Sequence, residues 1–386
     1  MLEHTRALRL YYLTSFAAMG IFMPYQPLWL AARGIDGWRM GAVVALRPIA
    51  MILAPVVFGM LADRFGLRGM LIRWASFGAM LSALLLGVAV HATVLGFGAI
   101  FAGFFVFSLL RVPMSTLADV ASLESAGRHY GGIRLWGSIG FMLAVVCAGW
   151  WLELEEPSPY PYAIACLTMA AFVASFWVPK TGRLPPRPVL REAAGLLRRP
   201  RFHCFLALLF AWTLAHSGYD LCISLHLKAL GATGAQVGLA WGLATFAEIL
   251  LMARAGQAIE RWGALTCVAF GIGVAAGRWL LLGSVTSLPL ILLLQPLHAL
   301  SFALVWVAGI VWVREEAGDG LLGSAQGMAA TSMALGTALG MLAWGALHGA
   351  AGARPVFLAA SGISTLALIV VGWVRRRRLV LGTGLS

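Results

Sequence analysis

Four ionisable residues stand where an apolar chain should carry none. Asp220, Glu248, Arg278 and His298 each lie inside long runs of Leu, Ala, Val and Gly. Placing an ionisable group in hydrocarbon is costly, so each is a functional candidate by default. Glu248 lies twelve residues before Glu260, roughly 18 Å of helix. A carboxylate at that depth is either paired or keeps its proton, and one that exchanges its proton can carry it. Two readings therefore stand for Glu248 and Asp220: a proton carrier, or a static ion pair that ties helices together. Arg278 is the natural partner for either acid. Gln295, His298 and Ser301 are spaced i, i+3, i+6 and share one broad face of a helix. There His298 is a proton shuttle or a hydrogen-bonded packing group.

A second set lies in the first half of the chain. Arg47 falls roughly 10 Å inside an apolar stretch, and Arg134 opens another. Guanidinium forks suit carboxylates and sugar diols. Tyr25, Gln26 and Trp136 can supply stacking and hydrogen bonds, or pack as ordinary wall, and Gln295 joins them as a substrate candidate. Arg111 is a partner for Asp119 or shares a counter-charge with Arg134. The chain contains no HExxH pair, no phosphate-binding glycine loop and no Ser/His/Asp set. The five cysteines have no CxxC spacing and imply neither a disulfide framework nor a metal. No enzymatic activity, metal or cofactor is expected, and a proton gradient is the energy source.

The elements that position these residues follow from composition. Of 386 residues, 61% are hydrophobic and 11% charged, against about 25% charged in soluble domains. About twelve apolar stretches of about 20 residues recur, the length of a bilayer-crossing helix. In the first of them, Pro24, Tyr25 and Pro27 point to a broken helix. The polar segment Lys180–Arg201 separates an N-terminal six-helix bundle (1–179) from a C-terminal one (202–386). Net charge is +13, yet Lys and Arg alternate between connections, 19 on one side and 4 on the other. That is a topology signal rather than a nucleic-acid surface, and it puts both termini and the linker in the cytoplasm. The expected location is a bacterial cytoplasmic (inner) membrane, with lipid, protons and a small solute as partners and a monomer as the unit.

The chain also repeats itself. Gly59, Asp63, Arg64 and Gly66 recur at an offset of 197 residues as Gly256, Glu260, Arg261 and Gly263. Two equivalent halves imply a solute site between them. An acid and an arginine at the membrane surface can cap a helix and pair, making a conformational latch.

The stretch GMLADRFGLRG at Gly59 resembles the signature loop of the major facilitator superfamily. Tyr219-Asp220, Glu248, Arg278 and Leu297-His298 resemble the proton-coupling residues of its lactose permease branch, and the whole chain resembles the phenylpropionate-permease-like branch. The resemblance implies an all-α membrane fold of about twelve helices in two pseudo-symmetric bundles. It implies that Arg134 and Ser138 approach the substrate. The chain departs from the lactose permease pattern at Ser301, where a glutamate is usual, and at Gln295, where a lysine is usual. The expected function is proton-coupled symport of a small organic solute: an aromatic carboxylate first, then a nucleoside or an oligosaccharide. The alternative is a proton-driven efflux antiporter of apolar compounds, which the several buried arginines disfavour for cationic cargo.

Overall fold

The computed structural model describes residues 2–65, 68–91, 96–152, 159–179, 195–317 and 321–382. Among them the regular elements are all helical. The first half holds α1 (Leu2–Ala31), α2 (Gly37–Phe65), α3 (Arg68–His91), α4 (Phe97–Ala126), α5 (Tyr130–Trp151) and α6 (Pro159–Ser175). The second holds α7 (Pro200–Ala229), α8 (Gly234–Met252), the short surface helix α9 (Ala255–Trp262), α10 (Ala264–Ser284), α11 (Leu288–Leu293), α12 (Val305–Ala317), α13 (Leu322–Ala351) and α14 (Ala353–Gly382).

Ten helical runs among the described residues are long and apolar enough to cross a bilayer, with α11 and α12 counted as one run. α6 is apolar but shorter. α1 has the length but interrupts its apolar residues with Tyr11, Tyr12, Thr14, Ser15, Tyr25 and Gln26. With these two, the described residues hold twelve long helical runs. Large apolar side chains such as Trp74, Trp150, Trp177 and Leu366 are exposed on the outside, more than a water-soluble surface tolerates.

The break expected in α1 is absent. The helix runs through both Pro24 and Pro27, and Tyr25 between them donates its hydroxyl to Val145 O of α5 at 2.8 Å. The broken pass is the tenth. After α11 the chain forms a 3₁₀ turn, Gln295–Leu297, and a π-helical segment, Ala299–Leu304, before α12 resumes. Pro296 inside the turn cannot donate to an α-helical ladder. Such irregular backbone is tolerated at membrane depth only where protein covers it. Here Trp212 of α7 donates its indole N–H to Ser301 O at 3.0 Å.

The halves meet chiefly along two helix pairs, α2 with α13 and α5 with α8, and α1 also touches α7. Calling the end where α1 begins the terminal end and the opposite one the distal end, the tight contacts are all distal. A Cβ added at Gly41 would lie 2.4 Å from Met341 O, one at Gly349 2.5 Å from Gly37 Cα, and one at Gly149 2.4 Å from Gly234 O. Only glycine permits such backbone approach, and lipid-embedded helices associate this way for want of a hydrophobic drive. At the terminal ends of the same helices the geometry changes. Gly131 and Gly132 of α5 and Gly323 and Gly327 of α13 have open space where a Cβ would stand. The closest backbone contacts between the halves thus lie at the distal end.

The repeated motif falls mostly at the edge of what is described. The side chains of Gly59, Asp63 and Arg64, and all of Gly66, lie outside the described residues, as do 180–194 of the linker. Gly256, Glu260 and Arg261 lie on α9, where both charged residues are exposed and form no ion pair among the described residues.

Candidate functional site

The irregular tenth pass explains how one arginine reaches three residues. In a 3₁₀ turn, side chains three apart eclipse one another. Arg278 of α10 places Nη2 3.0 Å from Gln295 Oε1, and Nη1 3.0 Å from His298 Nδ1 and 3.4 Å from Ser301 Oγ. Gln295 also accepts from Tyr219 of α7 at 2.9 Å and donates to Ile291 O at 2.7 Å. The Arg278 guanidinium lies over the Tyr219 ring at 4.3 Å.

This arrangement fixes the histidine tautomer. A guanidinium can only donate, so His298 Nδ1 must accept and carries no proton. Nε2 then holds the ring proton and points at Glu248 Oε1 of α8, 2.8 Å away. Phe302 stacks on the far side of the imidazole at 5.3 Å and 10° between planes. Glu248 thus supplies, from another helix, the carboxylate that the sequence around His298 lacks. It is the exposed member of the unit, with 17% of its side chain accessible against 6% for His298.

Asp220 does not join this unit. Its ion-pair contact among the described residues is with His216, one turn earlier on α7, with Nε2 3.7 Å from Oδ1.

The first half carries a cationic group of its own. Arg111 of α4 and Arg134 of α5 lie over Phe16 of α1, at 5.5 Å and 4.1 Å from the ring centre. Asp119, the one carboxylate among the described residues in contact with this group, accepts from Tyr12 and from Tyr130 at 2.9 Å, and stands 3.8 Å from Arg134 Nε. Arg111 does not pair with Asp119. It donates to Ser15 O at 2.8 Å, and its Nε is buried without a partner. Arg47 is partly buried on α2 and has no ion pair among the described residues, its one hydrogen-bond contact being Met51 Sδ at 4.0 Å. Arg111 lies within the field of both Arg47 and Arg134 as well as of Asp119. Asp119 contacts Arg134, and Arg47 lies within the field of Asp220 of α7; an anion would balance the remaining guanidinium.

The other predicted contacts are dispersed. Tyr25 is enclosed at the distal seam beside Gly149 and Gly238. Gln26 is buried with Nε2 unpartnered. Gln295 is enclosed within the Arg278 unit. Trp136 is exposed and Ser138 half-buried on α5. Tyr12, Phe16 and Tyr130, which frame the arginines, carried no signal in the sequence beyond being aromatic.

This architecture can be set against known proteins. Residues 5–359 match the family described as MFS_1 like family. The chain belongs to that family of major facilitator transporters. A probable 3-phenylpropionic acid transporter of Escherichia coli is 26% identical over 328 residues, covering 83% of this chain and 84% of that protein. A maltose permease of Geobacillus stearothermophilus is 28% identical over 285 residues, covering 70% and 69%. The crystal structure of the nucleoside transporter NupG superposes with a TM-score of 0.82 at 18% identity, covering 95% of this chain and 98% of that one. As an MFS_1 like protein the chain is an integral membrane secondary transporter, not an enzyme.

Proposed function

We propose that this transporter imports a small organic solute together with protons, an aromatic carboxylate before a nucleoside or an oligosaccharide. The observation that carries this reading is the Glu248–His298–Arg278 link. It holds a titratable carboxylate with its imidazole committed to one tautomer, in a protein whose first-half arginines are only partly compensated by Asp119 and Asp220. The carboxylate of the solute lies between Arg47, Arg111 and Arg134, with its aromatic ring towards Phe16. A proton on Glu248 offsets the negative charge of the solute, so the loaded carrier rocks with the same net charge as the empty one. The 19-to-4 distribution of Lys and Arg supports a cytoplasmic terminal end, in a bacterial cytoplasmic membrane. The distal end, where the halves are closest, then faces away from the cytoplasm. The bundles 1–179 and 202–386 move about their seam as a monomer, with no cofactor.

The test is uptake of labelled 3-phenylpropionate into proteoliposomes with the interior made alkaline. Glu248→Gln is expected to abolish accumulation while keeping counterflow exchange. Undiminished uphill uptake by that variant would remove Glu248 from the mechanism. Proton flow opposite to the solute would make the protein an exporter.

A further inference from the structure

Within the second half, α7 and α14 touch distally and leave a gap between them towards the terminal end. A Cβ added at Gly218 of α7 would lie 3.0 Å from Val356 Cγ1 of α14. α14 is also pinned to α10, by Arg354 Nε donating to Gly283 O at 2.9 Å and Ser361 Oγ donating to Ala276 O at 2.8 Å. Two residues beyond Ser361, at Ile363, a cavity of about 330 Å³ begins, a size within the range of ligand sites, roughly 300–1,000 Å³. One wall is a stripe of α7: Arg201, Cys204, Leu208 and Ala211, spaced so that they share a face. On α14, Leu366 and Val370 form exposed lips and Ala367 is buried behind them. Leu265 of α10 and Trp312 of α12 complete the lining. Arg201 to Ala211 spans roughly 15 Å, half of a hydrocarbon core of roughly 30 Å, which is one leaflet. An apolar cavity stays dry, and an empty one forfeits dispersion contacts. Hydrocarbon is the filling that this depth supplies.

The mouth of the cavity is cationic. Arg201, in the first turn of α7, is the one charged residue that lines it, and no acid does so among the described residues. Arg199 is committed elsewhere, its Nη1 donating to Glu316 O of α12 at 2.9 Å. Glu316 in turn accepts from Trp312 Nε1 at 3.3 Å. Arg198 and Arg201 are exposed and form no ion pair among the described residues. The N-cap of α7 is Arg199, whose side chain makes no capping hydrogen bond. The positive end of that helix therefore adds to the two arginines, and such an end attracts phosphate.

We infer that this cavity is a binding site for one anionic phospholipid of the leaflet at the terminal end. One acyl chain lies between α7 and α14, over Leu265 and Trp312. The other runs outside, along Leu366 and Val370. The phosphate rests on Arg201 at the start of α7. A headgroup with net negative charge is preferred because no lining acid opposes Arg201 there. The site lies wholly in the second half, apart from the Arg278 unit and from the arginines of the first half.

Cys204 lies one turn beyond Arg201 in the cavity wall and reports occupancy. The purified protein carries Cys204 alone, through Cys147→Ser, Cys166→Ser, Cys222→Ala and Cys267→Ala. Alkylation by N-ethylmaleimide in detergent is followed by intact mass as phosphatidylglycerol or phosphatidylcholine is added. Phosphatidylglycerol is expected to slow alkylation at about fivefold lower lipid content than phosphatidylcholine, the preference that one arginine near the surface supplies. Arg201→Gln, at an exposed position, should erase that preference. Ala211→Phe fills the deep end and should remove protection by both lipids while monodispersity is retained. A second protein carrying Cys166 alone, on α6 of the first half, should show no preference. Equal effects of the two lipids at Cys204 would overturn the site. The same preference at Cys166 would also overturn it, because lipid charge would then act everywhere on the surface. Protection that survives Ala211→Phe would place the chain outside the cavity and overturn it as well.

Discussion

Gly345 of α13 lies against Gly41 of α2 so closely that a Cβ on Gly345 would stand 2.7 Å from the Gly41 Cα. That contact joins the two halves of the transporter, and it can hold only while both residues lack a side chain.

Gly41→Val should therefore part the halves distally. Its Cβ would meet Met341 O at 2.4 Å, a backbone atom that cannot step aside. Spin labels at positions 38 and 350, in a background without the native cysteines, should report a longer distal separation than in the parent. Complete conversion from 1:99 to 99:1 needs about 5.5 kcal/mol, which a rigid backbone collision can supply. An unchanged distance distribution would mean that the seam is looser than described.

Gln295→Leu removes the acceptor of two buried donors, Tyr219 Oη and Arg278 Nη2. Each donor left unpaired costs on the order of 1–3 kcal/mol. Thermal unfolding in detergent should show a clear loss of stability, whereas Ser284→Ala, at an exposed hydroxyl bonded to Leu280 O, should show almost none.

Arg278→Lys keeps the charge but loses the fork that serves Gln295 and His298 together. His298 is then free to exchange tautomers, and its hold on Glu248 is lost. Proton-driven accumulation should fall by at least about tenfold, equivalent to about 1.4 kcal/mol, while counterflow persists. Equal loss of both activities would indicate a purely structural role.

Asp119→Asn withdraws the single carboxylate that compensates the arginines around Phe16. Titration calorimetry with 3-phenylpropionate at fixed ionic strength should show tighter binding, and Arg134→Gln about tenfold weaker binding. Weaker binding in both would mean that Asp119 orders the site through Tyr12 and Tyr130 instead of competing for Arg134.

The buried unit of Arg278, His298 and Glu248 was legible because an ionisable group in an apolar run is too costly to keep without a partner or a task. The fold was legible for a related reason: segment length and Lys/Arg alternation are constraints imposed by lipid. Helix irregularity was not. Pro24, Pro27 and Pro296 look alike in sequence, yet only Pro296 sits at a break, because Tyr25 and the close approach of α5 hold α1 straight. The run Gly336–Ala350 could be recognised as a close-packing face, but nothing in it says that Gly345 and Gly349 meet the other half while Gly340 meets Ser217 of its own. The aromatic residues were the least legible. Tyr12 and Tyr130 frame Asp119 whereas Tyr25 closes the seam, and their types and spacing are the same in kind.

The central claim is that solute and protons enter together. Proteoliposomes in weak buffer, given 3-phenylpropionate with no imposed gradient, provide the most direct measurement. The external medium should turn alkaline as the solute enters, and this should vanish in Glu248→Gln while exchange continues. Solute entry with no pH change in wild type would contradict proton coupling.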